Sequence, residues 1–339
     1  MKKILCAVLA LAAMASCSKE YIVAENKQAI AFGEAFVENG TRADYSTGNV
    51  IEKFKVYGTL TGNSNTVQIF KGADVNKPSG TYYDPVDGYD STIAWLCDVT
   101  QYWVPNASYE FAAIVDGVAE TTSTLPEKIK FTVADGDANK DLLYATATAT
   151  TTPDGTPSVD LVAFTFNHLL SKVQFTVANN MATGYSIEVT SITVDNVVDK
   201  GIYDVNAGTW AEDSPTADTT SLTFGTTGVI ASANSAVASA TRQILPVQQE
   251  LAVTVVYNIY YNDGNGDNGG EDKLISTATK TGTIPAQIYA KNTVYNITAE
   301  IDANRIEFTV DSVNGFGNTV ADDVEIGRAS CRERVLIPV

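Results

Sequence analysis

The sequence predicts an all-β protein built of β-sandwiches, and three observations carry that prediction. Apolar and polar residues alternate with period two in run after run, Gly-, Asn- and Asp-rich turns separate the runs, and extended helical periodicity is rare. Many short strands with glycine-rich turns are the pattern of sheets packed face to face, each with one face in a core and one in water.

The first alternating run is Ile30-Ala-Phe32-Gly-Glu-Ala-Phe36. Further runs follow at Phe54–Val56, Tyr109–Phe111, Ile129–Val133, Val173–Val177, Ile187–Val189, Val253–Val255, Val294–Ile297 and Ile306–Val310. Turn residues stand between them at Asn39-Gly40, Gly62-Asn63, Asp135-Gly136-Asp137, Pro153-Asp154-Gly155 and 264–270. The best short helix candidate is 167–171, between two strands. The pattern [Ile/Val]-x-Phe-Thr-Val recurs at 129–133, 173–177 and 306–310; β-propensity alone is the expected reason, and duplicated sandwich domains are the alternative. The length predicts about two domains. Two stretches, 145–157 and 179–184, offer joints, and the division adopted is 43–180 for an N-terminal sandwich and 181–324 for a C-terminal one.

The N-terminus predicts export. Lys2 and Lys3 precede a thirteen-residue apolar run, Ile4 to Ser16, which is too short to span a bilayer and ends in small residues beside Cys17. Residues 1–16 read as a signal peptide, Cys17 as the lipid acceptor of a bacterial lipobox, and 17–42 as a lipidated tether with a first strand. Lys19-Glu20 resembles a signal for the outer cell surface. At the other end, Glu325 to Val335 resembles the translation of a sequencing adapter, so 325–339 is expected to be an artefact and carries no fold expectation.

Charge and composition exclude several function classes. The 339 residues hold 40 acidic against 22 basic side chains, a net charge of −18. Such a surface repels nucleic acid, and contact with a membrane is expected through the lipid anchor only. Four cysteines reduce to Cys97 once Cys6, Cys17 and Cys331 are set aside, so no disulfide framework is expected and Cys97 reads as a small core residue.

Catalytic patterns are missing. His168 is the one histidine, placed between Phe166 and Leu169, where a structural role is expected over a triad. No phosphate-binding glycine loop, nucleophile elbow or zinc motif occurs, and neither enzyme activity nor a cofactor is expected. The one metal candidate is a calcium-type loop with Asp263, Asn265 and Asp267 at alternate positions. It departs from the EF-hand form, since Asn268 stands where the turn glycine belongs and the twelfth-position glutamate is absent; a polar hairpin loop is the competing reading.

Several segments together resemble one family. They are the lipobox at Cys17, the strand 30–37 followed by Glu38-Asn-Gly-Thr-Arg42-Ala43, Tyr102-Trp-Val-Pro105 with Tyr109-Glu-Phe111, Phe164-Thr-Phe166-Asn-His168-Leu-Leu-Ser-Lys172-Val173, Ile244-Leu-Pro246, and Ile288-Tyr-Ala-Lys-Asn-Thr-Val294-Tyr295. In that order over nearly the whole mature chain they resemble the fimbrillins, the Mfa-like and FimA-like lipoprotein subunits of type V pili. The resemblance implies two tandem transthyretin-like β-sandwiches. It also implies maturation by an arginine-specific protease cutting between Arg42 and Ala43, loss of the first strand with Ile30, Phe32 and Phe36, and assembly with other pilus subunits by donor-strand exchange. Arg42 does lie in a polar turn, where a protease reaches backbone; a plain surface arginine is the alternative. A second function class remains open: a surface lipoprotein binding a glycan or host protein, with Tyr82-Tyr83, Trp95, Tyr102-Trp103 and Tyr260-Tyr261 as stacking aromatics, although aromatics more often pack in cores. A secreted hydrolase is the third.

Overall fold

The computed structural model describes residues 28–37, 51–77, 83–84, 88–89, 95–120, 124–137, 140–213, 219–225, 228–230, 235–261, 273–303, 306–314 and 334–336. Its strands, in chain order, are β1 (Phe32–Val37), β2 (Lys53–Gly62), β3 (Asn65–Asn76), β4 (Tyr83–Asp84), β5 (Gly88–Tyr89), β6 (Leu96–Cys97), β7 (Ser108–Val115), β8 (Val118–Glu120), β9 (Lys128–Thr132), β10 (Leu143–Thr150), β11 (Val162–His168) and β12 (Ser171–Asn179). There follow β13 (Tyr185–Val198), β14 (Lys200–Asp204), β15 (Thr209–Glu212), β16 (Thr219–Thr223), β17 (Val229–Ile230), β18 (Ser235–Ile244), β19 (Gln248–Tyr261), β20 (Lys273–Ile288), β21 (Thr293–Ile301), β22 (Ile306–Asn314) and β23 (Arg334–Leu336). A single 3₁₀ turn at Asp135–Asp137 is the only helical element among the described residues, so the fold class is all-β as the alternation predicts.

Seven strands form one sheet in the order β1-β11-β10-β7-β2-β3-β6. The β2–β3 hairpin turns at Asn63 and Ser64, both with positive φ (49° and 64°), the backbone that lets a two-residue loop follow the strand twist. One face of this sheet builds a first core from Phe32, Phe54, Val56, Leu60, Phe70, Tyr109, Phe111, Ala113, Phe164 and Phe166. Part of the other face is buried too. Tyr57, Ala112 and Ile114 belong to a second core.

That second core lies mainly between two sheets, β18-β12-β21-β22-β23 and β16-β13-β19-β20. Val173 and Phe175 of β12, Ile297 of β21 and Phe308 of β22 supply one inner face; Ile187, Ile192, Val253 and Val255 supply the other. Alternation along each strand produces this sandwich, because period two sends every second side chain to the same face. A smaller sheet, β15-β14-β9-β8, closes one side with Ile129, Phe131 and Tyr203. Trp210 of β15 ties it down by donating its indole N–H to the Leu169 carbonyl at 2.8 Å.

The change of core falls at 166–169. Phe166 belongs to the first and Leu169 to the second. The helix expected at 167–171 does not form: Asn167 and His168 finish β11 and Ser171 opens β12. Leu169 and Leu170 are both buried, so two consecutive apolar residues mark the crossing between cores rather than a helical face. All three [Ile/Val]-x-Phe-Thr-Val segments serve the second core, on β9, β12 and β22. In the tail set aside from the sequence, β23 lies antiparallel on the edge of β22, with Phe308 opposite Val335.

Candidate functional site

The site is the seat of β1. Residues 28–37 hydrogen-bond on two sides at once. On one side β1 runs parallel to β11, Phe32 opposite Val162 and Val37 opposite Phe166, a pairing that joins segments about 130 residues apart. The Val162 amide donates to the Ala31 carbonyl at 2.9 Å. On the other side the chain bridges to 95–103, beside the far edge strand β6. Ala29 pairs with Tyr102 and Phe32 with Trp95, both antiparallel. The Ile30 amide donates to the Gln101 carbonyl (2.8 Å), Trp95 to Phe32 (2.8 Å) and Trp103 to Gln28 (3.0 Å). Residues 28–37 thus bridge the two rims of the seven-stranded sheet. Remove them, and both rims present unpaired amides and carbonyls, a template for another strand.

The interior of the seat is aromatic. Phe32 is 0 % exposed. Its ring meets Phe70 edge-on at 5.3 Å, Phe111 edge-on at 6.0 Å, Phe54 edge-on at 6.5 Å, and stacks on Phe164 at 6.0 Å. These separations are the favoured range for aromatic pairs. Gly58 on β2 makes room for this cage: a Cβ there would lie 2.9 Å from Phe111 Cδ1 and 3.0 Å from Phe70 Cδ2.

Ile30 and Phe32 are buried in the first core. The register then shifts between Phe32 and Ala35, so that two residues of β1, Gly33 and Glu34, oppose Ala163 alone. After the shift Ala35 and Val37 pack on the core, and Phe36 is the residue opposite Thr165. Cys17, Arg42, Ala43, and the calcium-type loop with Asp263, Asn265 and Asp267 lie outside the described residues. Among the described residues no cluster of three His, Cys, Asp or Glu side chains is placed to hold a metal.

The other sequence candidates range from core to surface. His168 is 13 % exposed, its Nδ1 2.6 Å from the Asp141 carboxylate, at the crossing between the two cores. Cys97 is half-buried against the first core, where burial pushes its thiol above the usual range. Trp95 packs on Phe54 (5.4 Å) and Trp103 on Tyr109 (4.7 Å), so both serve the first core. Tyr260 donates to the Glu188 carboxylate at 2.7 Å, and that bond holds the carboxyl below its usual range. Tyr102 and Tyr261 keep exposed rings. Sequence reasoning missed the 95–103 rim and the four-ring cage; the alternation of Phe164 and Phe166 was visible, but not that it faces Phe32.

Residues 41–315 match the model of a family described as fimbrillin-like. The chain belongs to the fimbrillin-like family. β1 lies just N-terminal to the matched residues. The crystal structure of a fimbrial protein from Bacteroides vulgatus ATCC 8482 is similar to this fimbrillin-like chain at a TM-score of 0.58 and 16% identity, covering 85% of this chain and 98% of that one. A candidate cell adhesion protein from Bacteroides ovatus ATCC 8483 is similar at a TM-score of 0.50 and 14% identity, covering 88% of this chain and 100% of that one. At these identities the likeness is one of fold. No curated protein sequence matches the chain.

Proposed function

We propose that this fimbrillin-like chain is a structural, non-enzymatic pilus subunit, exported as a lipoprotein through Cys17 to the outer membrane. An arginine-specific protease then matures it by cutting after Arg42, and donor-strand exchange into the seat of β1 builds the pilus at the cell surface. The observation that carries the reading is the double pairing of residues 28–37 around the buried Phe32. A strand so placed is separable in principle: it sits at the N-terminal end, ahead of the 38–50 segment that contains Arg42, and its loss exposes a preformed aromatic groove. Main-chain hydrogen bonds to both rims then supply affinity for an incoming strand, and alternate side chains filling the groove fix its register. Membership of the fimbrillin-like family supports assembly with other pilus subunits.

The test is limited digestion of the folded precursor with an arginine-specific protease. Cleavage after Arg42, followed by oligomerisation once a donor strand or an intact related subunit is added, is the expected result. Arg42→Ala protein stays monomeric under the same treatment. Cleaved protein that remains monomeric with every donor defeats the proposal.

A further inference from the structure

We propose that the groove reads its incoming strand through two adjacent positions, an aromatic side chain followed directly by glycine. This rests on the donor-strand reading above and specifies the chemistry of the partner: an extended segment of another subunit carrying an aromatic–glycine pair, with a small residue two places further on.

The aromatic requirement follows from the cage. Phe54, Phe70, Phe111 and Phe164 enclose the Phe32 ring at centroid distances of 5.3 to 6.5 Å, three edge-on and one stacked. Rings held in this way leave a slot with the shape of a ring. An aliphatic side chain fills it incompletely and forfeits dispersion contacts on every side. An alanine leaves a cavity whose walls belong to sheet strands and collapse only in part.

The glycine requirement has a separate origin. Gly33 sits at the register shift, beside the turn into β11. A Cβ at residue 33 would stand 3.0 Å from Leu161 Cβ and 3.3 Å from Leu161 Cδ1. The nearest atom is the root of the leucine side chain, which moves only with its backbone. That backbone is pinned, because the next residue, Val162, donates its amide to Ala31. A β-branched residue at this position presses on Leu161, which must give by a few tenths of an ångström right where β11 begins to pair. Ala35, 8 % exposed and opposite Phe164, sets the small position two places on. The order of the pair matters as well. β1 runs parallel to β11 and antiparallel to 95–103, so a strand that keeps both sets of bonds enters in one direction only.

Competition binding tests this. A labelled peptide of residues 28–37 is bound to protein cleaved after Arg42 and freed of its first strand, and unlabelled peptides are added to displace it. The parent peptide competes. The Phe32→Ala peptide is expected to compete about 100-fold more weakly, the Gly33→Val peptide about tenfold more weakly, and the reversed-order peptide, of identical composition, about as weakly as the Phe32→Ala one. In Leu161→Ala protein the Gly33→Val penalty should shrink while the Phe32→Ala penalty stays, which a general loss of folding would not produce. Substituted peptides competing within about twofold of the parent overturn the selectivity and leave donor-strand exchange standing. A parent peptide that fails to bind overturns both.

Discussion

Replacing Phe32 by alanine separates a docked, removable strand from an ordinary core strand. Phe32 is fully buried among four phenylalanine rings, in a first core whose other walls come from β2, β3, β7 and β11. Truncating a buried phenylalanine costs about 3–5 kcal/mol. If residues 28–37 open as a unit while the rest stays folded, that loss falls on their docking alone, and the open population rises between roughly 100-fold and several thousandfold at about 1.4 kcal/mol per tenfold. Four amides report the opening directly: Ile30, Trp95, Trp103 and Val162, each bonded across one of the two rims. Their hydrogen exchange in Phe32→Ala protein should accelerate by that factor, while buried-sheet amides such as Phe175 and Val255, which belong to the second core, keep their wild-type rates. Equal acceleration of all these amides would mean that β1 opens only with global unfolding. Separability would then be wrong, and with it the mechanism proposed for assembly.

Three further expectations follow from named contacts. Gly58→Ala places a Cβ 2.9 Å from Phe111 and should cost about 1–3 kcal/mol in denaturant unfolding, through overpacking of the cage; an unchanged midpoint would show that Phe111 and Phe70 move aside freely. Burial pushes the Tyr289 phenol up to about 12, whereas the unfolded value is near 10. Its contribution is therefore complete below pH 10 and is lost as pH rises from 10 to 12, at up to about 1.4 kcal/mol per pH unit, so Tyr289→Phe should flatten that limb of the stability curve, and superimposable curves would refute it. Among the described residues a chain ending at Val324 loses the three-residue β23 pairing, and it should match the full chain within about 0.5 kcal/mol, whereas a drop of several kcal/mol would make 325–339 part of the fold.

The fold class was legible because strand alternation is a local property. Val173, Phe175 and Val177 announce an inward face without reference to any partner, and all three are buried. What alternation cannot carry is pairing. Nothing in Ile30–Val37 says that its neighbours are Val162–Phe166 on one side and 95–103 on the other, because backbone hydrogen bonds leave no residue code. The register shift at Gly33 was hidden for a related reason: strict period two places Phe36 in phase with Phe32, and only the extra residue in the ladder brings Ala35 and Val37 to the core. At 167–171 two adjacent leucines looked helical, yet each of Leu169 and Leu170 is buried at a passage from one sheet to the next. The cage was half visible. Four scattered phenylalanines are ordinary core residues in a list, and become a slot only when the sheet brings them round one ring.

β7 carries a consequence of its own. Phe111 and Ala113 look into the first core, Ala112 and Ile114 into the second. The strand is a partition with no wet side over these four residues, so its outline must satisfy two fillings at once. A side chain enlarged at Ala112 cannot be relieved by a shift of the backbone without thrusting Phe111 into the ring that holds β1. The outer face of β20 is largely exposed, and a substitution there meets water rather than a packed neighbour. The β7 wall has to be rewritten in matched pairs, and whatever lodges in the groove on one side leans, through two alanines, on the sandwich behind it.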